Sequence, residues 1–184
     1  MMYSDISAKL GQTIQFSRAL LEYPRVTFID ALLARFLLNV MTQFMVHFAV
    51  IGGIVMILQP DLKMDLGKMA LAYAMVLSLA VGIGVLNSFL TLAYPVWQTI
   101  WAVINRPLFL ISGLFFLFES VPQPYRDILW YNPLVHPIAM MRSGFYPYYQ
   151  PVFVSPAYVF AVAAITATVG LFLLNRYHRD ILDK

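Results

Sequence analysis

The 184 residues contain no cysteine, which excludes disulfides and thiolate metal sites and leaves the redox compartment unread. Charge is scarce as well. Asp, Glu, Lys and Arg make up 11% of the chain, against 61% hydrophobic and 15% aromatic residues, where a soluble domain carries roughly a quarter charged residues. With a mean hydropathy of +0.74, the chain belongs in a membrane. No G-x-x-x-x-G-K-[ST] phosphate loop occurs, so it does not hydrolyse ATP by that route. His47 has no second His or carboxylate at ligand spacing, so no metal or cofactor is expected on this chain. The net charge of +3 implies no nucleic-acid partner. Residues 1–27 carry Asp5, Lys9, Arg18, Glu22 and Arg25 without a continuous apolar core, which excludes a secretory signal.

What is present is a set of long uncharged runs. A spanning helix needs about 20 mostly apolar residues, and residues 36–58, 69–118 (broken only by Arg106) and 152–175 qualify. The middle run is too long for one crossing. Tyr94, Pro95 and Trp97 mark an interfacial turn within it, because proline lacks the N–H and aromatic rings favour the headgroup layer. The expected fold is therefore an all-α integral membrane domain over residues 1–184 with four transmembrane helices, at about 36–58, 69–93, 97–118 and 156–175. Residues 1–27 read as a cytoplasmic amphipathic helix with Ile6, Leu10, Ile14 and Leu21 near one face and Pro24 ending it. If the N-terminus is inside, the inner flanks hold seven Lys and Arg residues and the outer loops four, which favours N-in and C-in.

Inside the first span Arg35, Asn39, Gln43 and His47 recur every four residues on one drifting stripe. Polar groups avoid lipid, so the stripe either walls a hydrated conduit or serves as interhelical hydrogen-bond glue. Ala70, Ala74, Ser78 and Gly82, with Gly84 alongside, form a small-residue ladder read as helix packing. Arg106 precedes Pro107 within the third span; it either faces a cavity or snorkels to the inner surface from a kink.

Residues 119–155 form the outer segment. Pro122, Pro124, Pro133 and Pro137 forbid one long helix but permit two short ones, at about 124–131 and 134–145, suiting a re-entrant hairpin. Tyr125, Trp130, Tyr131, Phe145, Tyr146, Tyr148, Tyr149 and Phe153 crowd this segment. They read either as an interfacial belt or as rings lining an exit and stacking on sugar faces. An enzyme would need convergent acid and base groups, and Glu119, Asp127 and His136 lie here without a nucleophile, so no catalytic residue is expected.

Three ordered blocks, "ALLEYPRVTFIDALLAR" (19–35), "RPLFLISGLFFLFESVPQPYR" (106–126) and "YNPLVHPIAMMRSGFYPYY" (131–149), resemble the membrane subunits of type 2 ABC exporters of capsular polysaccharide, O-antigen or teichoic acid. The capsule branch is the nearest in pattern. The resemblance implies a six-span fold in the bacterial inner membrane and a channel made with a second copy of the permease. A separate ATPase subunit would hold ATP and Mg and dock near Leu20, Leu21, Tyr23, Pro24 and Arg25. A lipid-linked glycan would pass outward, beside membrane lipids, along Asn39, Gln43, His47, Arg106, Tyr125, Trp130, Tyr131, His136, Arg142 and Tyr146. Alternatives are a type 2 exporter of drugs or lipids, and a truncated assembly subunit without transport. Family members begin with an interfacial helix and two further spans that this chain lacks, so a fragment, a late start or a split gene is expected. The family also tends to carry His-x-x-Glu-x-x-Arg in the outer block. Here position 139 is Ala, so the counter-charge to Arg142 is expected from Asp127 or Glu119.

Overall fold

A computed structural model describes residues 2–21, 25–58 and 64–182. Among them all regular structure is helical. The N-terminal segment forms three short helices, α1 (Met2–Gly11), α2 (Thr13–Phe16) and α3 (Arg18–Leu21), where the sequence predicts one; the breaks fall at Gln12, after the poor helix former Gly11, and at Ser17. The expected apolar face is real, with Ile6, Leu10 and Ile14 each no more than 1% exposed. Pro24 lies outside the described residues, as does the side chain of Leu21.

The helix α4 (Phe28–Leu58) starts from a reciprocal cap. The Thr27 N–H and hydroxyl donate to Asp30 Oδ2 at 2.9 and 2.7 Å, and the Asp30 N–H returns a bond to Thr27 Oγ1 at 3.3 Å, occupying donors that a helix start leaves open. The helix α5 (Leu66–Ala93) is capped by Asp65, whose carboxylate accepts from the Gly67 and Lys68 N–H groups, and it ends where Tyr94 turns extended before Pro95. There follow α6 (Trp97–Leu110), a 3-10 turn (Phe118–Ser120), α7 (Tyr125–Trp130), α8 (Val135–Phe145) and α9 (Pro156–Leu182).

The hub of the bundle is α5, which packs against α1, α8 and α9. Its small residues explain why. Gly82 faces Ala163 and Thr166 of α9, whereas a Cβ at Gly84 would lie 2.7 Å from Leu10 of α1. Two residues apart on a helix means roughly opposite faces, so the two glycines admit two different neighbours. Ala70 and Ala74 of the expected ladder are exposed. By contrast α4 leaves Leu37, Leu38, Met41 and Met45 largely exposed, as a lipid-facing helix does.

Among the described residues three helices are long and apolar enough to cross a membrane, over Phe28–Ile57, Leu66–Ala93 and Pro156–Tyr177. The fourth expected one, at 97–118, differs. Its helix stops at Leu110 after 14 residues, about 21 Å against a hydrocarbon core of about 30 Å. The causes are local: Pro107 removes one ladder donor, and Gly113 takes φ +82°, a left-handed conformation that a helix does not contain.

Candidate functional site

The two short helices form close to where the prolines predict them, α7 after Pro124 and α8 two residues beyond Pro133. Three buried or half-buried polar side chains hold them in place. The first is Asn132, in the elbow between α7 and α8 and 8% exposed. Its amide donates to the carbonyls of Leu108 at 3.2 Å and Ile111 at 3.5 Å, and its Oδ1 accepts the Leu134 N–H at 3.1 Å. One side chain thus closes the end of α6 and the start of α8 together.

The second is Arg142. Its guanidinium donates to the carbonyls of Gly113 at 3.1 Å and Phe116 at 3.5 Å, taking up backbone acceptors freed where α6 unwinds. It also lies 5.8 Å from the centre of the Tyr149 ring, and the Tyr149 hydroxyl donates to Glu119 at 3.1 Å. Glu119 therefore reaches Arg142 through a tyrosine rather than as the directly paired counter-charge the sequence suggests. Burial, with the Glu119 carboxylate beside it, pushes the Tyr149 hydroxyl pKa upward. Asp127 is exposed on α7.

The third is His136, fully buried at the start of α8. The Ser155 N–H donates to its Nδ1 at 3.3 Å, and its Nε2 lies 3.0 Å from the Trp130 carbonyl. A backbone N–H can only donate, so Nδ1 is the bare nitrogen and Nε2 carries the proton of a neutral ring. Burial holds the imidazole pKa below its ordinary value, with the Trp130 carbonyl pulling the other way. Around it the Trp130 indole N–H donates to the Phe153 carbonyl at 3.1 Å, Phe153 stacks on Phe118 with centroids 3.9 Å apart, and the Tyr158 hydroxyl donates to the Tyr131 carbonyl at 2.8 Å.

The crowded aromatic set thus divides by exposure. Trp130, Phe118 and Phe153 lock the base, while Tyr125, Tyr131 and Tyr146 are 61 to 68% exposed and Tyr148 is fully so. A ring that is already packed on both faces cannot stack on a ligand. The exposed tyrosines can.

The polar stripe of α4 faces other parts of this chain. Arg35 lies 5.9 Å from the Phe16 ring centre, and the Asn39 amide turns back to the Arg35 carbonyl at 2.6 Å. Gln43 donates to Asp5 of α1 at 3.0 Å, and His47 packs edge-on against Tyr73 of α5 at 5.3 Å. Gln43 is the middle residue of α4, so Asp5 stands level with the centre of that helix, although the sequence reading treats residues 1–27 as a cytoplasmic segment. Arg106 is exposed on α6, one residue before Pro107. Of the expected coupling residues, Leu20 and Arg25 are exposed, while Tyr23 and Pro24 lie outside the described residues. The break at Asn132-Pro133 is readable as a turn signal, but neither the bonds of Asn132 to the end of α6 nor the pairing of Asp5 with Gln43 has a sequence signal.

A profile of the ABC-2 type transporter family matches residues 2–146. Among curated proteins, the polysialic acid transport protein KpsM of Escherichia coli is 27% identical over 181 residues, covering 98% of this chain and 70% of its own. The capsule polysaccharide export inner-membrane protein CtrC of Neisseria meningitidis serogroup A is 23% identical, with coverage of 98% and 68%. BexB of Haemophilus influenzae, also a capsule polysaccharide export inner-membrane protein, is 23% identical, again with coverage of 98% and 68%.

Proposed function

Because this chain belongs to the ABC-2 type transporter family, we propose that it is the channel-forming permease of an ATP-driven exporter that moves a lipid-linked, capsule-type polysaccharide outward across the bacterial inner membrane. The names of its relatives supply the substrate class. A separate ATPase supplies the energy, a second copy of the permease completes the channel, and the start of α4 and the C-terminus lie inside.

In this reading α6 and the non-helical residues 111–117 make the third of four crossings, and α7 with α8 form the re-entrant hairpin. Irregular backbone is tolerated at membrane depth only where protein satisfies its polar groups. Asn132 and Arg142 donate to the carbonyls of Leu108, Ile111, Gly113 and Phe116, which is the provision such a crossing requires. The observation that carries the sugar reading is the trio of exposed tyrosines, Tyr125, Tyr131 and Tyr146, raised on that pinned base, with Tyr131 also meeting Trp130 edge to face at 5.6 Å.

Export is measurable as ATP-dependent uptake of labelled glycan into inverted vesicles holding the permease with its ATPase. Replacing Tyr125 and Tyr131 together by Ala is expected to lower it about tenfold, since two stacking contacts contribute about 1 kcal/mol each or slightly less, with assembly unchanged. Trp130→Ala is expected to lower the amount of folded protein instead, because it frees the Phe153 carbonyl. Undiminished export in the double tyrosine variant would remove the sugar reading of the hairpin. For coupling, Leu20→Asp with Arg25→Glu is expected to lower permease-stimulated ATP hydrolysis several-fold. If ATPase binding and stimulation both survive that change, the segment is not at the interface.

A further inference from the structure

Helix α6 has two faces. Trp97, Trp101, Asn105 and Leu108 are partly buried along one, whereas Arg106, with Val103 and Leu110 a turn to either side, stands exposed on the other. Arg106 makes no hydrogen bond, ion pair or ring contact with any described residue, in contrast to Arg142, which is engaged by carbonyls, and Arg35, which lies over a phenyl ring. Its depth gives this consequence. In the four-crossing reading Trp97 marks the inner boundary, and the helix carries Arg106 about 14 Å beyond it. That is close to the middle of a hydrocarbon core of about 30 Å and farther than an arginine side chain snorkels. A guanidinium facing lipid there is strongly disfavoured, so such a residue turns to water or to an anion.

The spans supply no such anion. Residues 31–58, 66–118 and 156–179 contain no Asp or Glu, and Asp5, which stands level with the middle of α4, already accepts from Gln43. A second copy of the chain has the same sequence and brings the same shortage. The counter-charge therefore travels with the cargo. We propose that Arg106 is the charge-reading residue of the export path, neutralised by acid groups of the polysaccharide as its repeat units pass. The proposal rests on the export reading and adds a discrimination that the tyrosines do not provide. A ring stacks on the C–H face of neutral and acidic sugars alike, whereas the planar fork of a guanidinium distinguishes a carboxylate from its ester. The phosphate of a lipid linkage passes once per chain, but a repeating acid stands opposite Arg106 throughout the crossing, as a permanent charge requires.

Because the chain has no cysteine, position 106 can be addressed through a single introduced thiol. In inverted vesicles holding the permease with its ATPase, Arg106→Cys is treated with charged, water-soluble methanethiosulfonate reagents during ATP hydrolysis. It is expected to react at least tenfold faster than Met41→Cys, on the exposed face of α4. Uptake is then followed for labelled, lipid-linked polysialic acid, the polymer in the name of the Escherichia coli relative, and for its methyl ester, which keeps the rings and the linkage but loses the carboxylates. The wild type should favour the acid about tenfold, the factor given by roughly one charge-assisted hydrogen bond, and Arg106→Cys should take up the two alike. The aminoethyl adduct, which restores a cation, should recover most of the preference, and the sulfonatoethyl adduct should not. Arg106→Lys should likewise keep the preference and Arg106→Gln lose it, which covers a thiol variant that fails to fold. A thiol no more reactive than that of Met41→Cys, or equal uptake of acid and ester by the wild type, overturns the proposal. So does a cationic adduct that raises acid and ester uptake equally, which would assign Arg106 to the linkage phosphate. Each of these results leaves the glycan reading of the hairpin standing, whereas uptake of neither polymer by the wild type would sink the export reading and this proposal with it.

Discussion

Gly170→Val is expected to lower the stability of the bundle by about 3 kcal/mol or more, the upper range for overpacking a filled interface. A Cβ at this position of α9 would lie 2.7 Å from the Leu86 nitrogen, 2.8 Å from its Cα and 2.9 Å from the Val85 carbonyl carbon. All three are backbone atoms of α5, so no rotamer change can relieve the contact, and the helices must separate along their length. In lipid, close approach of helix backbones is a principal source of association, because apolar side chains gain little by leaving a hydrocarbon solvent. The α5 and α9 pair relies on this twice, at Gly170 and at Gly82, which faces Ala163 and Thr166. Gly52→Ala in α4 is the matched control, since nothing lies within 4 Å of a Cβ there; it is expected to be neutral or slightly stabilising through better helix propensity. Thermal unfolding in detergent, followed by helical circular dichroism, separates the two variants. If both melt with the wild type, close α5 and α9 packing is not what holds the fold.

How much of this was legible beforehand depends on the kind of signal. Long apolar runs gave α5 to within three residues and the start of α9, whereas α4 begins eight residues before the expected 36 and α9 runs seven residues past the expected 175, because charged residues such as Asp30, Arg35 and Arg176 read as flanks although they belong to the helices. The prolines gave α7 and α8 because a missing N–H is a local rule. The end of α6 was not readable, since Phe109 to Phe118 stay apolar and uncharged while Gly113 turns the backbone; composition reports affinity for lipid and not whether the chain stays helical. Within the site, several roles were left open by the sequence. His136 and Arg142 were singled out as substrate-facing, and the structure turns both toward backbone groups of their own chain. Burial depends on which partner arrives in space, and the aromatic set could be divided into packed and exposed rings only after the fold was known.

His136 gives the second large effect, and its sign follows from the hydrogen bonds. The neutral ring accepts from the Ser155 N–H through Nδ1 and donates to the Trp130 carbonyl through Nε2. Protonating Nδ1 would aim two donors at each other and place a charge among Trp130, Phe153 and Tyr158, which agrees in direction with a pKa lowered by burial. The folded state therefore binds this proton less readily than the unfolded chain, whose histidine titrates at about 6.5. Stability from this site is complete above that pH and is lost as pH falls through the lower folded value. His136→Ala is expected to cost about 3 kcal/mol at pH 8, combining a cavity with an N–H and a carbonyl deprived of partners. It should also flatten the loss of stability expected of the wild-type chain between pH 7 and pH 5. The difference in slope between the two proteins reports on the imidazole. Melting curves of both proteins at pH 8, 7, 6 and 5 decide the matter. Parallel pH dependences would mean that His136 is not the neutral pin of the hairpin, whereas a flat variant against a falling wild type identifies the ring that fastens α7 and α8 to the start of α9, and with them the exposed tyrosines.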